Sequence, residues 1–317
     1  MTNTQKMKLS LVVPMYNEAK VIPHFFSRVR PVLDSLGYDC EIICINDGSS
    51  DDTLSRIQAE RTTDPRIKIL DLSRNFGKEL ALTAGIDHAT GDAVIPIDVD
   101  LQDPPEIIPD MVQKWRDGYD VVLAVREDRS TDSFIKRSSA NWFYNVMGKL
   151  GEVAIPANAG DFRLMDRQVV DSLKLIKERS RFMKGIFAWV GYKTTTVSFS
   201  RESRVAGETS WKYWKLWNFA LEGIISFSSL PLKIWSYLGV LTSLGALVFM
   251  AVVIMRTIIV GVDTPGYASM MAVLLFFFGI ILICLGVIGE YLGRIFIEVK
   301  QRPLYLVRQT FGLDDTD

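Results

Sequence analysis

Histidine and cysteine are scarce: His24 and His88 stand alone, and the three cysteines are Cys40, Cys44 and Cys284. No paired metal-ligand spacing and no Ser-His-Asp set can be assembled from them, so a zinc site, a disulfide framework and a serine hydrolase are disfavoured. The cysteines read as buried packing residues. Gly-x-Gly-x-x-Gly and Walker phosphate loops are absent, which weakens the dinucleotide and ATPase readings. Charge of one sign is not in excess, with 36 basic against 37 acidic residues. The basic footprint expected of a nucleic-acid-binding protein is therefore missing. The start, MTNTQKMKLSLVV, holds no long apolar region with a cleavage site, so no secretory signal is expected. There is no internal repeat or low-complexity tract.

Two long stretches also lack charge. Residues 234–255 and 264–289 carry no Asp, Glu, Lys or Arg. Roughly 20 apolar residues cross the hydrocarbon core as a helix. The linker Arg256–Asp263 has one cation, whereas Lys212, Lys215 and Lys233 precede the first stretch and Arg294, Lys300, Arg302 and Arg308 follow the second. That asymmetry predicts a transmembrane hairpin in the cytoplasmic (inner) membrane with both termini in the cytoplasm. Trp235, Tyr237 and Tyr291 sit where an aromatic belt would lie, and Glu290 falls at the end of the second stretch. The aromatic run Trp211, Tyr213, Trp214, Trp217 and Phe219, with Lys212 and Lys215, suggests an amphipathic membrane-surface helix. A core helix of the soluble part is the alternative.

The first 125 residues alternate apolar strand-like runs with helical patterns. Leu9–Pro14, Glu41–Asn46, Ile67–Leu72, Ala93–Ile97 and Val121–Val125 read as strands. Val21–Ser35, Thr53–Arg61, Lys78–Ala89 and Glu106–Arg116 read as helices. This predicts an α/β fold with a mostly parallel sheet and helices on both faces. Asp132–Gly151 and Arg167–Lys177 read as further helices, and Tyr192–Phe199 as a strand that extends the sheet. Between them, Asp161–Met165 follows a loop rich in Gly, Asn, Ala and Pro. The division expected is 1–209 catalytic domain, 210–232 juxtamembrane region, 233–294 hairpin and 295–317 cytoplasmic tail, with an acidic, disordered end at 314–317.

Polar clusters fall after three of the strands: Tyr16-Asn17-Glu18, then Asp47-Gly48-Ser49-Ser50-Asp51-Asp52, then Asp98-Val99-Asp100-Leu101-Gln102-Asp103. Ligands of parallel sheets bind at the carboxyl ends of strands. Two carboxylates two residues apart at a strand end project the same way. Such a pair can grip a hard divalent cation with positions left for substrate phosphates. A solvated acidic turn is the plain alternative for Asp98 and Asp100.

These motifs resemble the inverting family 2 glycosyltransferases. The segments are Val12–Glu18, Asn46–Thr53 and Asp98–Glu106, extended by Asn75-Phe76-Gly77-Lys78, Asp161–Leu164 and Arg204-x-x-Gly207-x-x-Ser210-x-Lys212. The likeness is greatest to the polyisoprenyl-phosphate branch, which includes dolichol-phosphate mannose synthases. Within it, the bactoprenol glucosyltransferase type has a similar trailing hairpin. The arginine motif carries one residue more than many relatives have, which sets Ser210 and Lys212 apart from Arg204.

The resemblance implies a GT-A-type, Rossmann-like fold. It implies a nucleotide-sugar donor across Pro14, Tyr16, Asn17, Glu18, Asp47, Asp98 and Lys212. It implies Mg2+ or Mn2+ at Asp98, Asp100 and Gln102. Arg204 and Lys212 would neutralise diphosphate charge, Asp161 matches the family's base position, and Arg126, Arg129, Arg137 and Ser210 are acceptor-phosphate candidates. The expected reaction moves a hexose, glucose from UDP-glucose before mannose from GDP-mannose, onto a polyprenyl phosphate such as undecaprenyl phosphate. A lipid phosphate oxygen is already ionised near neutral pH, so Asp161 is expected to orient the acceptor or take a residual proton. Processive polysaccharide synthases share the donor motifs but carry a Gln-x-x-Arg-Trp element, which is missing here. A nucleotide-binding membrane anchor would not need both Asp98 and Asp100. A homo-oligomer is left open.

Overall fold

The computed structural model describes residues 7–126, 159–179, 181, 183–199, 230–260 and 266–313. The first unit alternates β1 (Lys8–Met15), α1 (Ile22–Leu36), β2 (Asp39–Asn46), α2 (Thr53–Thr63), β3 (Ile67–Leu72), α3 (Lys78–His88) and β4 (Ala93–Pro96). A short 3-10 turn, Pro105–Ile107, leads into α4 (Ile108–Arg116) and β5 (Val121–Arg126). Then come β6 (Ala159–Asp166), α5 (Arg167–Leu175), α6 (Met183–Trp189) and β7 (Thr194–Phe199). Two long helices follow, α7 (Leu230–Val260) and α8 (Tyr267–Val299), and the last strand is β8 (Val307–Phe311).

The eight strands form one sheet in the order β7-β5-β6-β4-β1-β2-β3-β8. β1 pairs in parallel with both β2 and β4, and β2 with β3. β6 runs antiparallel between β4 and β5, and β8 runs antiparallel along β3. The central strands are apolar without alternation because both faces are covered. In β1, Leu9, Leu11, Val12 and Val13 are all fully buried. One face packs under α1, α2 and α4 through Phe25, Phe26, Val29, Ile57 and Met111. The other packs under α3, α5 and α6 through Ala81, Leu82, Val169, Val170 and Met183. In α1 the buried residues Ile22, Phe25, Phe26, Val29 and Leu33 recur at helical spacing and form one apolar stripe. Emptying a site such as Phe25 would cost about 3–5 kcal/mol.

Three elements differ from the sequence reading. Asp161–Met165 belongs to a strand, β6, inserted between β4 and β5. The seven-residue helix α6 carried no periodic signal long enough to read. Residues 307–311, expected in a cytoplasmic tail, return to the sheet as β8. Arg308 at the start of β8 binds the buried Asp71 of β3 (Nε–Oδ2 2.7 Å). Tyr305 donates to Asp87 at 3.0 Å. Cys44 is fully buried, whereas Cys40 and Cys284 are half-buried, and all three are free thiols.

Helices α7 and α8 are longer than the charge-free stretches that announced them. At 1.5 Å per residue they run about 46 and 50 Å. Within α8, Phe276–Val299 is long and apolar enough to cross a membrane, with a mean hydropathy of 2.1. Leu241, Phe249, Ile258, Leu282 and Leu292 are each more than 60 % exposed, an outward apolar surface that water would not tolerate at this extent. The expected helix 132–151 and the aromatic run 211–219 lie outside the described residues.

Candidate active site

A cavity of about 410 Å³ opens at the carboxyl ends of β1 to β4. It lies at the switch point of the sheet, where the chain leaves β1 toward β2 on one side and β4 flanks it on the other. Pro14, Tyr16 and Glu18 line it from the end of β1, and Asp47 from β2. Asn75 and Gly77 come from the β3–α3 connection, Lys78 and Ala81 from the first turn of α3, and Asp98, Asp100 and Gln102 from the segment after β4.

The loops are held by their own side chains. Asp47, 2 % exposed, accepts from the N–H of Phe76 (2.7 Å) and of Gly77 (2.9 Å), which fixes the entrance to α3. Gly48 has φ 64°, and a Cβ there would overlap the backbone of Arg74 and Asn75, so the two loops meet only through glycine. Asn17 does not line the cavity. Its backbone is left-handed at φ 55°, and its Oδ1 accepts from Ser50 N–H at 2.9 Å, tying the β1 loop to the β2 loop.

The acidic segment is not a strand end, because β4 stops at Pro96. It is a turn in which Val99 (4 % exposed) and Leu101 (0 %) are buried while Asp98, Asp100 and Gln102 face the cavity. Leu101 has φ 55°, a costly conformation for a branched residue. Asp100 Oδ1 accepts from Gln102 N–H at 3.2 Å. The donors are all hard oxygens and they face open space. That set fits a hard divalent cation whose remaining positions are filled by phosphate oxygens. Among the described residues no group of three or more His, Cys, Asp or Glu forms a closed metal cage.

Lys78 is the residue that the site is built around. Its Nζ lies 2.8 Å from Asp98 Oδ2 and 2.8 Å from Asp161 Oδ2. Burial works against its ammonium, but Asp98 and Asp161 outweigh this and hold its pKa above the ordinary lysine range. Burial pushes the Asp161 carboxyl up, yet Lys78, Lys184 and Arg163 together hold it below the usual carboxylate value. Asp161 Oδ1 has no hydrogen-bond partner among the described residues. Behind it, Arg163 is 5 % exposed, stacks 4.1 Å from the Phe187 ring centroid, and is lowered to about 10 by burial. Glu79 is raised to about 7 by burial and by the Asp161 charge, and its Oε2 also lacks a partner among the described residues.

Residues 10–174 match the family Glycosyl transferase family 2, and residues 230–295 match the GtrB C-terminal hairpin family. The chain belongs to glycosyltransferase family 2. An uncharacterized glycosyltransferase of Synechocystis sp. is 57 % identical over 308 residues, covering 97 % of each chain. A prophage bactoprenol glucosyl transferase homolog of Escherichia coli is 52 % identical, covering 96 % of this chain and 99 % of its own. Among solved structures, a Pyrobaculum calidifontis mannosyltransferase in complex with GDP-Man and Mn2+ is 19 % identical, covers 69 % of this chain and 61 % of its own, and has a TM-score of 0.47.

Within this glycosyltransferase, seven expected donor or metal residues meet in one cavity: Pro14, Tyr16, Glu18, Asp47, Asp98, Asp100 and Gln102. Asp161 reaches it through Lys78. Arg126 ends β5, half-buried, on the same edge of the sheet but not among the cavity residues. Arg129, Arg137, Arg204, Ser210 and Lys212 lie outside the described residues. Lys78, Asn75 and Gly77 line the site although the sequence reading quoted them only as part of a family-like segment and gave them no role. Their signal was position: they follow β3 at its carboxyl end, as the other clusters follow β1, β2 and β4.

Proposed function

We propose that this chain transfers glucose from UDP-glucose to a polyprenyl phosphate at the cytoplasmic membrane face, with inversion at the sugar carbon. The observation that supports this most directly is the convergence of Asp98, Asp100, Gln102 and Asp47 with Tyr16 and Lys78 in one cavity at the switch point. Relatives that match nearly the whole chain, such as that of Shigella phage SfX at 52 % identity, are bactoprenol glucosyl transferases.

In this reading Pro14, Tyr16, Glu18 and Asp47 seat the nucleotide, with the exposed Tyr16 ring offering a stacking face. Asp98, Asp100 and Gln102 would hold Mg2+ or Mn2+. When bound, such an ion supplies Lewis-acid charge to the diphosphate. The acceptor phosphate oxygen attacks the anomeric carbon, the bond from that carbon to the diphosphate oxygen breaks, and the nucleoside diphosphate leaves with the bonding pair. Lys78, joined by Arg204 and Lys212, meets the charge that grows on the leaving group, and preset donors of this kind are commonly the largest catalytic contribution. Asp161, kept ionised by Lys78, orients the acceptor. Arg126, Arg129 and Arg137 receive its phosphate. The two anions approach at a Coulomb cost of about 4 kcal/mol at 4 Å with an effective dielectric near 20, which explains the demand for cations.

The apolar helix of α8 and the family hairpin give membrane association. Two membrane crossings with both termini cytoplasmic complete the proposal. A cysteine placed in the Gly261–Pro265 linker should react with an impermeant thiol reagent from outside only.

The deciding experiment is a donor screen with purified protein, a short-chain polyprenyl phosphate and Mg2+ or Mn2+. Release of UDP from UDP-glucose that requires both the lipid phosphate and the metal is the expected result. Release of GDP from GDP-mannose alone would replace the donor. Release without lipid phosphate would remove the acceptor.

A further inference from the structure

The strand β8 closes against β3 with one residue to spare. Leu72 pairs with Val307 and Asp71 with Gln309, which leaves Arg308 without a counterpart. An extra residue of this kind is a β-bulge, and bulges re-aim side chains near functional sites. Here the guanidinium turns onto the carboxylate of Asp71. Its Nε and Nη2 both reach Oδ2, at 2.7 and 2.6 Å. The Arg308 side chain is more than half exposed, whereas Asp71 is buried.

The other oxygen of Asp71 leads toward the donor cavity. Asp71 Oδ1 accepts from Asn46 Nδ2 at 2.7 Å. That bond fixes which way the buried Asn46 amide points, so its Oδ1 faces the next turn and accepts from the Ser49 N–H at 3.3 Å. Ser49 Oγ in turn accepts from the Asn17 N–H at 3.0 Å. Asn17 stands between Tyr16 and Glu18, and Asn46 precedes Asp47, and these three neighbours all line the cavity. The links run unbroken across the carboxyl end of the sheet, from β8 through β3 and β2 to the β1 loop. Yet β8 itself gives no residue to the cavity.

We propose that Arg308 is a positioning residue for donor binding, which acts through Asp71, Asn46 and Ser49 to hold the β1 and β2 loops in the shape that lines the cavity. The proposal rests on the reading of that cavity as the nucleotide-sugar seat. Without the guanidinium, Asp71 is a buried charge with one neutral side-chain donor, and such a group draws in water. Its rotation frees the Asn46 amide, and the turn at Asp47–Ser49 loses its anchor. Arg308 follows α8 by only a few residues, so the segment that leaves the long hairpin also braces the donor loops.

The test uses the full chain in detergent and two readouts: amide hydrogen exchange of the protein without ligand, and steady-state kinetics with the nucleotide sugar that the donor screen selects. Arg308→Ala should speed exchange in residues 47–53 by about tenfold and leave residues 97–103 unchanged. Its donor KM should rise about fivefold, the scale of one lost hydrogen bond, with the acceptor KM unchanged. Arg308→Lys, which keeps the charge, should restore both in part. Tyr305→Phe removes a second anchor of the same segment, the bond to Asp87, and has no route to the β2 loop. It should leave the donor KM as it was. Unchanged exchange in 47–53 would overturn the proposal. So would faster exchange across the whole sheet, which marks a purely structural contact, or a Tyr305→Phe donor KM raised as much as that of Arg308→Ala. If no nucleotide sugar is turned over, the donor reading fails, while exchange in the unliganded protein still decides whether Arg308 holds the loop.

Discussion

At the amino edge of the sheet, Glu41 is 2 % exposed and accepts from Ser10 (2.5 Å), Lys68 (2.7 Å) and the Thr90 N–H (2.8 Å), with Lys8 at 2.8 Å. At the carboxyl edge, Asp98 is 36 % exposed and shares a single lysine with Asp161. Both edges bring acidic groups next to lysines, but the first saturates its carboxylate and the second leaves oxygens unmet. A buried carboxylate with all its acceptors filled contributes stability. One left partly open, in a cavity, is kept ready for charge that arrives with a ligand. The contrast separates a carboxylate that holds the fold from carboxylates we propose meet the ligand.

The comparison breaks first at Asp100. Asp100→Asn should lower turnover about a thousandfold, the scale of losing a main electrostatic contact in a site, with the melting temperature unchanged. Steady-state kinetics at limiting metal, alongside Mn2+ binding by electron paramagnetic resonance, checks it. Near-normal turnover would return the segment to a solvated acidic turn.

Glu41→Gln should do the opposite: turnover per folded molecule intact, stability down by on the order of 3 kcal/mol. Burial pushes the Glu41 carboxyl up, but Lys68, Lys8, Ser10 and Thr90 pull it to about 2 from 4.5. Its folded value is the depressed one. The stabilisation is therefore complete above pH 4.5 and lost as pH falls through about 2. Denaturant unfolding of both proteins across that window should show the difference shrinking toward acid.

Lys78→Met should cost about thirtyfold in kcat, ~2 kcal/mol. Without the ammonium, Asp161 loses the charge that holds its carboxyl low, so the acid limb of the pH–rate profile should move to higher pH. Lys78→Arg should restore the limb in part. An unchanged profile would make Lys78 a spectator.

Turnover is expected to change least at Glu79. Burial and Asp161 raise its folded value to about 7 from 4.5, so its ionisation destabilises the fold progressively from pH 4.5 upward and fully above 7. Glu79→Gln should gain on the order of 3 kcal/mol at pH 8 and nothing at pH 4, read from melting temperatures at the two values.

Much of this was legible in sequence, for local reasons. β1 to β5 are apolar runs bounded by turn residues, and their polar clusters had to fall at strand ends. β6 was not legible, because Gly160, Asp161, Arg163 and Asp166 interrupt its apolar pattern. Arg163 is buried there only because the Phe187 ring and the Gly160 carbonyl receive it. β8 was not legible either, since Val-Arg-Gln-Thr-Phe looks like a polar tail until β3 offers it an unpaired edge.

Periodicity and charge spacing act over a few residues, and they alone determined the alternating α/β unit, the apolar hairpin and the acidic turn. Pairings between distant segments were decided by tertiary structure. It set β6 between β4 and β5, carried the chain from α8 back to β3, and brought Lys78 between Asp98 and Asp161. The reason is that hydrogen bonds and ion pairs at 2.8 Å depend on where helices and strands pack, and no local pattern encodes that distance.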